Sequence, residues 1–216
     1  MFLGLAVWSG VLYQRDRSES VVPLAVALER GQPVVRGDLL SAAQLPAGLD
    51  CRSTAIRAMT TVQLAALDAQ RADLREIPPL ELERSRDFFR RALECLPGDG
   101  NLWVRLARLE LSLGARPEDI ARHLLLSQSA SPAEEQVILA RLSLYLTASP
   151  GLKLVLASVW RRDLDVFLGH ANWPALRSLF ALVGSPLPAD VETAIQNASP
   201  SQRRLIEAVR RNWEES

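Results

Sequence analysis

Two cysteines and two histidines are the residues of this sequence best suited to bind a metal or attack a substrate: Cys51, Cys95, His123 and His170. They could form a zinc site only if all four converged, and their spacing gives no such pattern. The short motifs of zinc proteases, serine hydrolases and phosphate-binding loops do not occur in the chain. We therefore expect no metal site, no cofactor and no enzymatic activity.

His170 is the histidine with the better claim to a functional role. It lies in the segment 169–173, which is predicted to be a loop, and functional residues concentrate in loops. Because no acid or nucleophile accompanies it in the sequence, an unrecognised enzyme site near His170 and Trp173 is only the alternative interpretation. His123, on a predicted helix, is expected to be solvated or to cap that helix.

The charged and aromatic residues of the C-terminal half have structural interpretations. The segment 161–165 is expected to be a solvated helix end or a cluster of ion pairs, with recognition of an anionic partner as its alternative. Three tryptophans could stack on sugars, although packing between helices is the favoured interpretation: Trp160, Trp173 and Trp213. These residues therefore add no catalytic candidate.

Cys51 and Cys95 are predicted to form a disulfide. Cys51 lies just before one long predicted helix and Cys95 lies at the end of the next. If the Pro78-Pro79 turn makes these helices antiparallel neighbours, both thiols lie at the same end of the pair, near the Cα separation of about 5.5–6 Å that a disulfide prefers. A disulfide favours an oxidising compartment such as the periplasm, whereas two inert thiols would suit the cytosol.

The composition indicates a helical, globular protein. The 216 residues include 48% apolar residues, and the 25 basic residues are balanced by 25 acidic ones, which argues against nucleic-acid binding through bulk positive charge. Lys153 is the only lysine, and Leu, Ala, Arg and Glu dominate the sequence. We predict an all-α fold.

The N-terminal region is predicted to differ from the rest of the chain. Residues 1–13 are apolar and uncharged, so we expect a membrane anchor or a truncated signal-anchor, with an apolar helix docked on the domain as the alternative. Residues 14–50 are assigned as a linker or juxtamembrane region, in which the apolar run 21–28 could be a strand or a short helix. Residues 51–216 form the predicted helical domain.

Proline, glycine and capping residues mark the predicted helix ends in that domain. Ser53 or Thr54 is expected to cap a helix that reaches about Leu74, and Pro78-Pro79 opens the next. Asn101 is the expected cap of the following helix, and Pro150-Gly151 is expected to end a helix near Thr147. Capping boxes are predicted at 131–134 and 199–202, a helix is predicted to start at Pro117, and further helices are predicted over 152–168, 174–183, 188–198 and 200–213.

Six residues between these helix ends have the spacing of a tetratricopeptide repeat: Phe89, Ala92, Pro97, Trp103, Leu106 and Ala107. Small residues at such positions let antiparallel helices approach closely, and a large residue fills the groove to the next helix. Residues 79–132 therefore resemble a tetratricopeptide unit. The resemblance implies antiparallel hairpins stacked as a short array, in which Phe89 and Ala92 pack against Leu102, Trp103 and Leu106.

The order of features is also similar to helical proteins encoded in bacterial exopolysaccharide loci. The matching positions are Cys51, 92–100, 102–103, 106–107, 124–127, 130–132 and 141–142. This resemblance implies a non-enzymatic scaffold held in the inner membrane by a single N-terminal helix, with its domain in the periplasm. Its expected partner is another protein of a membrane or envelope assembly.

A cytosolic DNA-binding regulator is the remaining alternative. The predicted helices 188–198 and 200–213 resemble a helix-turn-helix in outline. Residues 200–216, however, carry four arginines against three glutamates, less positive charge than a recognition helix usually has. We therefore expect no nucleic-acid partner.

Overall fold

The computed structural model describes residues 21–43, 51–72 and 77–215. These residues form eleven helices and no strand, which confirms the all-α prediction. The chain divides into two compact units, residues 1–97 and 98–216, and each is described by itself. Among the described helices, none is both long and apolar enough to cross a membrane. The anchor predicted for residues 1–13 lies outside the described residues.

The first unit contains helices α1 (21–29), α2 (Arg36–Ala42), α3 (Ser53–Ala72) and α4 (Pro79–Cys95). The run 21–28 is therefore helical, and its alternative interpretation as a strand is wrong. The helical period buries Val21 and Ala25 one turn apart, and Gly31, with a φ of 65°, supplies the left-handed turn after α1. Helix α2 packs against α3 and buries Leu39. The region assigned as a linker thus contains two helices where it is described.

A disulfide and a buried hydrogen bond join α3 to α4. Cys51 and Cys95 are bonded, with their Cα atoms 5.2 Å apart, so the predicted bridge is confirmed. Within the pair, the Gln63 side-chain amide donates to the Ser85 hydroxyl at 2.7 Å, and that hydroxyl donates to the carbonyl oxygen of Glu81 at 2.8 Å. Ser85 is small enough to be fully buried at this contact. The two helices are therefore tied both at their ends and along their length.

The second unit consists of seven helices, six of which pack in pairs. They are α5 (Gly100–Ser112), α6 (Pro117–Ala130), α7 (Glu135–Thr147), α8 (Pro150–His170), α9 (Trp173–Val183), α10 (Ala189–Asn197) and α11 (Pro200–Glu214). Helix α5 packs against α6, α7 against α8, and α9 against α11. Contacts between pairs join α5 to α7, α6 to α8, α7 to α9 and α8 to α10. A tetratricopeptide register for this stacking stays a prediction.

Several helix starts differ from the predicted ones, and Ser53 is the first residue of α3 rather than its cap. Helix α5 is capped by Asp99, whose carboxylate accepts from the backbone amides of Asn101 and Leu102, so the prediction of Asn101 as the cap is wrong. Pro150-Gly151 does not end a helix. Pro150 is the first residue of α8, and the Ser149 hydroxyl accepts from the Leu152 amide. A proline at the first helical position fits because its missing N–H would have had no helical partner there.

The two predicted capping boxes have different outcomes. Ser199 caps α11 by accepting from the Gln202 amide at 3.3 Å, whereas the Gln202 side chain donates to the carbonyl oxygen of Ala171 instead of turning back to the cap. Ser131 ends α6 rather than starting α7, which begins four residues later. The capping box predicted at 199–202 is therefore half formed, and the prediction of a capping box at 131–134 is wrong.

Loss of the disulfide is expected to lower the stability of the first unit. Replacing both Cys51 and Cys95 by Ala opens a long covalent loop and lowers the free energy of unfolding by about 4 kcal/mol in the chain-entropy account. Urea unfolding of the oxidised chain, the reduced chain and the double variant measures this. The reductant should have no effect on the double variant, and equal midpoints for oxidised and reduced protein would contradict the prediction.

Overpacking at Ala92 is expected to destabilise α4. Ala92 is completely buried, so Ala92→Leu forces a larger side chain into a filled space and costs about 1–3 kcal/mol. Glu94→Leu is the matched control, because Glu94 is exposed on the same helix and its change should stay within about 0.5 kcal/mol. The thermal unfolding midpoints of both variants test this prediction. A wild-type midpoint for Ala92→Leu would contradict the tight packing around Ala92.

Candidate functional site

A buried ion pair joins α7 to α8 in the second unit. The guanidinium of Arg141 donates to both carboxylate oxygens of Asp163, at 2.7 and 2.8 Å, and each side chain is 1% exposed. The Gln128 amide of α6 donates to the same carboxylate at 2.9 Å. Charged groups withdrawn from water this far need partners for nearly all of their hydrogen-bonding atoms, and the pair has them.

The same guanidinium reaches the point where α5 and α6 meet. Its third nitrogen donates to the Ser127 hydroxyl at 3.0 Å and to the Ser131 carbonyl oxygen at 3.3 Å. Ser127 in turn donates to the carbonyl oxygen of Gly100 at 2.8 Å. A Cβ on Gly100 would lie 2.6 Å from the Ser131 side chain, so only glycine allows this approach. We call Gly100, Ser127, Gln128, Arg141 and Asp163 the buried polar network.

The buried polar network fixes α6 beside α8. The Gln128 amide also donates to the carbonyl oxygen of Val159, at 3.3 Å. One turn earlier on each helix, Leu124 and Leu156 belong to the same apolar cluster. Gln128 therefore lies level with the turn of α8 between Val159 and Asp163, and the apolar cluster shared by the preceding turns indicates that the two helices run in the same direction.

Large apolar side chains remain exposed on the outside of these two helices. Leu154 is 81% exposed and Leu125 is 50% exposed, and Val155 and Leu126 are also exposed. Leu125 and Val155 are the outer neighbours of Leu124 and Leu156, so the register of α6 and α8 places them side by side. We call Leu125 and Val155 the apolar patch; Leu126 and Leu154, the next residues on the two helices, point about 100° away from them.

Arginines lie beside the apolar patch on both helices. Arg161 and Arg162 are exposed about two turns after Leu154, and Arg122 is exposed one turn before Leu125. Asp119 bonds Arg122 at 3.3 Å and Arg116 at 2.9 Å. The hydrogen bond from Arg116 lowers the pKa of the Asp119 carboxyl below its ordinary value, so this acid stays ionised and holds both arginines.

An aromatic stack lies on the side of α8 that faces α7 and α10. The Tyr145 and Trp160 rings are stacked with centroids 4.2 Å apart, and the Trp160 indole N–H donates to Asp190. The ammonium of Lys153 lies 5.7 Å from the centre of the Tyr145 ring. Burial raises the pKa of the Tyr145 hydroxyl, and the Asp190 carboxylate acts in the same direction. The stack joins three helices, in keeping with a packing role for Trp160.

The predicted chemical candidates do not converge. His170 is the exposed last residue of α8 and Trp173 the exposed first residue of α9, so the predicted loop between them is only two residues long. His123 stacks on Trp103 at 5.6 Å, and Trp213 lies against Phe180 at 5.8 Å, which makes both of them packing residues. No group of residues suited to hold a metal ion occurs in the parts of the chain that the structure describes.

The segment 161–165 divides between the surface and the core. Arg161, Arg162 and Asp165 are exposed, whereas Asp163 is the buried partner of Arg141. The prediction of a solvated helix end is wrong for Asp163, and the prediction of an ion pair is right. At the C-terminus, Arg210 bonds Glu192 and Glu214, both at 2.9 Å, so one of the four arginines in the predicted helix-turn-helix pair is held by acids.

The six residues with the predicted tetratricopeptide spacing are divided between the two units. Phe89 and Ala92 are buried in the first unit, and Leu106 and Ala107 are buried in the second, where Ala107 packs with residues of α6. Pro97 is exposed. The predicted packing of Phe89 and Ala92 against α5 joins the two units, and it stays a prediction.

Sequence reasoning missed the buried polar network. A signal was present: Asp163 continues the buried period of Val159, Trp160 and Phe167, and Arg141 precedes the buried Leu142. A charge on an apolar stripe indicates a buried pair when another helix offers the opposite charge at a buried position.

Removing one partner of the Arg141–Asp163 pair is expected to lower the free energy of unfolding more than replacing both partners by apolar residues. Arg141→Met leaves a buried carboxylate without its cation and lowers the free energy of unfolding by about 3–5 kcal/mol. The double change with Asp163→Leu should recover part of that loss, since no charge is then left unpaired. Urea unfolding of the two single variants and the double variant gives the coupling. Arg161→Met, an exposed control on α8, should be close to wild type, and an equally mild Arg141→Met would show that the pair is unimportant.

No protein-family model matches this chain, and neither a curated protein nor a solved structure does. The tetratricopeptide and exopolysaccharide resemblances therefore stay predictions from the sequence.

Proposed function

We propose that this protein is a non-enzymatic scaffold that binds another protein through its second unit, residues 98–216. The observation that carries the proposal is the apolar patch, in which Leu125 is 50% exposed and Val155 44% exposed, with the exposed Leu126 and Leu154 on the flanking faces of the same helices. Isolated apolar residues are common on protein surfaces, but clustered ones favour an interface. Their cluster lies on two helices whose alignment is fixed from inside.

The setting we propose is a bacterial envelope assembly, with exopolysaccharide production as the suggested process. The Cys51–Cys95 disulfide supports an oxidising compartment, because such bonds persist in the periplasm and are rare in the cytosol. The uncharged run 1–13 supports an N-terminal anchor in the inner membrane. A short tetratricopeptide-like array is the fold that we propose for this role, supported by the pairwise contacts of α5 to α11.

Crosslinking in the native cell tests the proposal. The full chain is expressed at its normal level with a C-terminal tag, and proteins are crosslinked before lysis. We expect one protein adduct, identified by mass spectrometry, that falls at least about fivefold in the double variant Leu125→Gln/Val155→Gln, since polar side chains remove the apolar contact.

Leu80→Gln is the matched control for this experiment. Leu80 is 56% exposed on α4 in the first unit, so the change removes an exposed leucine that is not part of the patch. The adduct should persist in this variant. Absence of any adduct with the wild-type chain, or an adduct unaffected by the patch variant, would contradict the proposed function.

A further inference from the structure

The first helix of the first unit is apolar on both its inner and its outer face. Residues 21–28 of α1 contain no polar side chain. Val21 and Ala25 point inward and are buried. Val22 and Val26 lie one turn apart on the outer face and are 37% and 36% exposed. A helix on a protein surface usually has polar residues on its outer face, so two turns of α1 have more apolar surface than the first unit covers.

The exposed apolar side chains of the first unit are concentrated in this part of the chain. Four large apolar side chains are exposed in the described residues of that unit, and three of them lie within residues 22–35: Val22, Val26 and Val35. Pro23 is also exposed and flanks Val26, about 60° further round α1. We call Val22 and Val26 the α1 face.

The position of α1 in the chain indicates what covers the α1 face, and this step rests on the N-terminal anchor of the proposed function. That anchor ends at residue 13, and only seven residues separate it from residue 21. Even when fully extended, they hold the start of α1 within about 28 Å of the end of the apolar run. A tether of this length gives an effective concentration of about millimolar. The bilayer surface is thus an apolar partner that the tether itself brings within reach, and a small face is enough to bind it.

The charged residues on either side of α1 are balanced. Residues 14–20 contain two arginines, one aspartate and one glutamate, and Glu29 at the end of α1 is followed by Arg30. A membrane contact that depends on charge needs a cluster of basic residues, which the sequence 14–30 does not have. Contact of α1 with lipid therefore depends on its apolar side chains, and it should occur with uncharged lipid.

We propose that the α1 face lies on the membrane surface, with Val22 and Val26 at the boundary between the lipid headgroups and the acyl chains. Helices that bind in this way bury their apolar side by about 5–10 Å. The charged end of α1, at Glu29 and Arg30, stays in water. The contact is a second attachment besides the anchor, and it holds the first unit with its α1 side towards the bilayer.

Lipid quenching of a site-specific label tests this on the full chain. Val26→Cys is labelled with a nitrobenzoxadiazole fluorophore while the native Cys51–Cys95 disulfide is kept oxidised. The chain is reconstituted in phosphatidylcholine vesicles that contain a lipid with a nitroxide near the headgroup end of its acyl chain. Leu80→Cys is the matched control, because Leu80 is an exposed apolar residue on another helix of the same unit. We expect quenching at position 26 to be at least about threefold stronger than at position 80, with or without added anionic lipid.

Adding Val22→Gln to the Val26→Cys chain should lower the quenching at least about twofold, because a polar side chain weakens the apolar contact. Equal quenching at positions 26 and 80 overturns the inference. Blue-shifted emission at position 26 without quenching also overturns it, since the occupant is then a protein such as a second copy. If the chain does not float with the vesicles, the proposed anchor is wrong and the inference fails with it. If it floats but position 26 is quenched no more than position 80, the anchor stands and only the membrane contact of α1 is wrong.

Discussion

The buried ion pair between Arg141 and Asp163 is the interaction on which the second unit depends. A core of leucine and alanine tolerates sliding of one helix along another, because apolar contacts are not directional. A bidentate guanidinium–carboxylate pair does not, since a shift of one turn would leave both charges buried and unpaired. The Gln128 amide and the Ser127 hydroxyl extend this constraint to α6 and to the first residue of α5. Four helices are thus aligned by polar contacts, and the apolar side chains around them supply most of the burial.

The alignment of α6 and α8 also determines which of their side chains lie together on the outer surface of the second unit. Gln128 and Asp163 face each other in the interior, and their outer neighbours one to two turns earlier are Leu125 and Val155. The apolar patch is therefore a consequence of the buried polar network as much as of its own residues. The first unit uses a different device, a disulfide that closes the end of the α3–α4 pair. The disulfide is the basis on which we propose an oxidising compartment, and the patch is the basis on which we propose protein binding.

Much of the fold could be predicted because local signals mark the helix ends. Proline at the first turn, glycine after the last turn and serine caps act within a few residues, so the extents of α4, α9 and α11 and the start of α6 follow from the sequence. The cysteine pairing followed from the same local reasoning. Asn101 is the predicted cap of α5, whereas Asp99 takes that place by accepting from the Asn101 and Leu102 amides.

The candidate site was less predictable because tertiary contacts decide which of its residues are buried. Ser131 has the sequence of a helix start, but its carbonyl oxygen accepts from Arg141, and it ends α6 instead. Asp163 lies among Arg161, Arg162 and Asp165, so its neighbours suggest a solvated charge. Only its partner 22 residues away shows that it is buried. Exposed leucines such as Leu154 cannot be told from core leucines by type, because exposure depends on which helix covers them.

The most direct test of the account is the register of α6 against α8 across the patch. The double variant Leu125→Cys/Val155→Cys is treated with a short bifunctional thiol crosslinker, alongside Leu125→Cys/Asp165→Cys, whose second site lies ten residues further along α8, a rise of about 15 Å. The native Cys51–Cys95 disulfide is kept oxidised throughout. We expect the 125–155 pair to crosslink rapidly within one chain and the 125–165 pair to remain largely unlinked. Equal rates, or faster linkage of the 125–165 pair, would show that the buried polar network does not align the helices as described and that the apolar patch is not one surface.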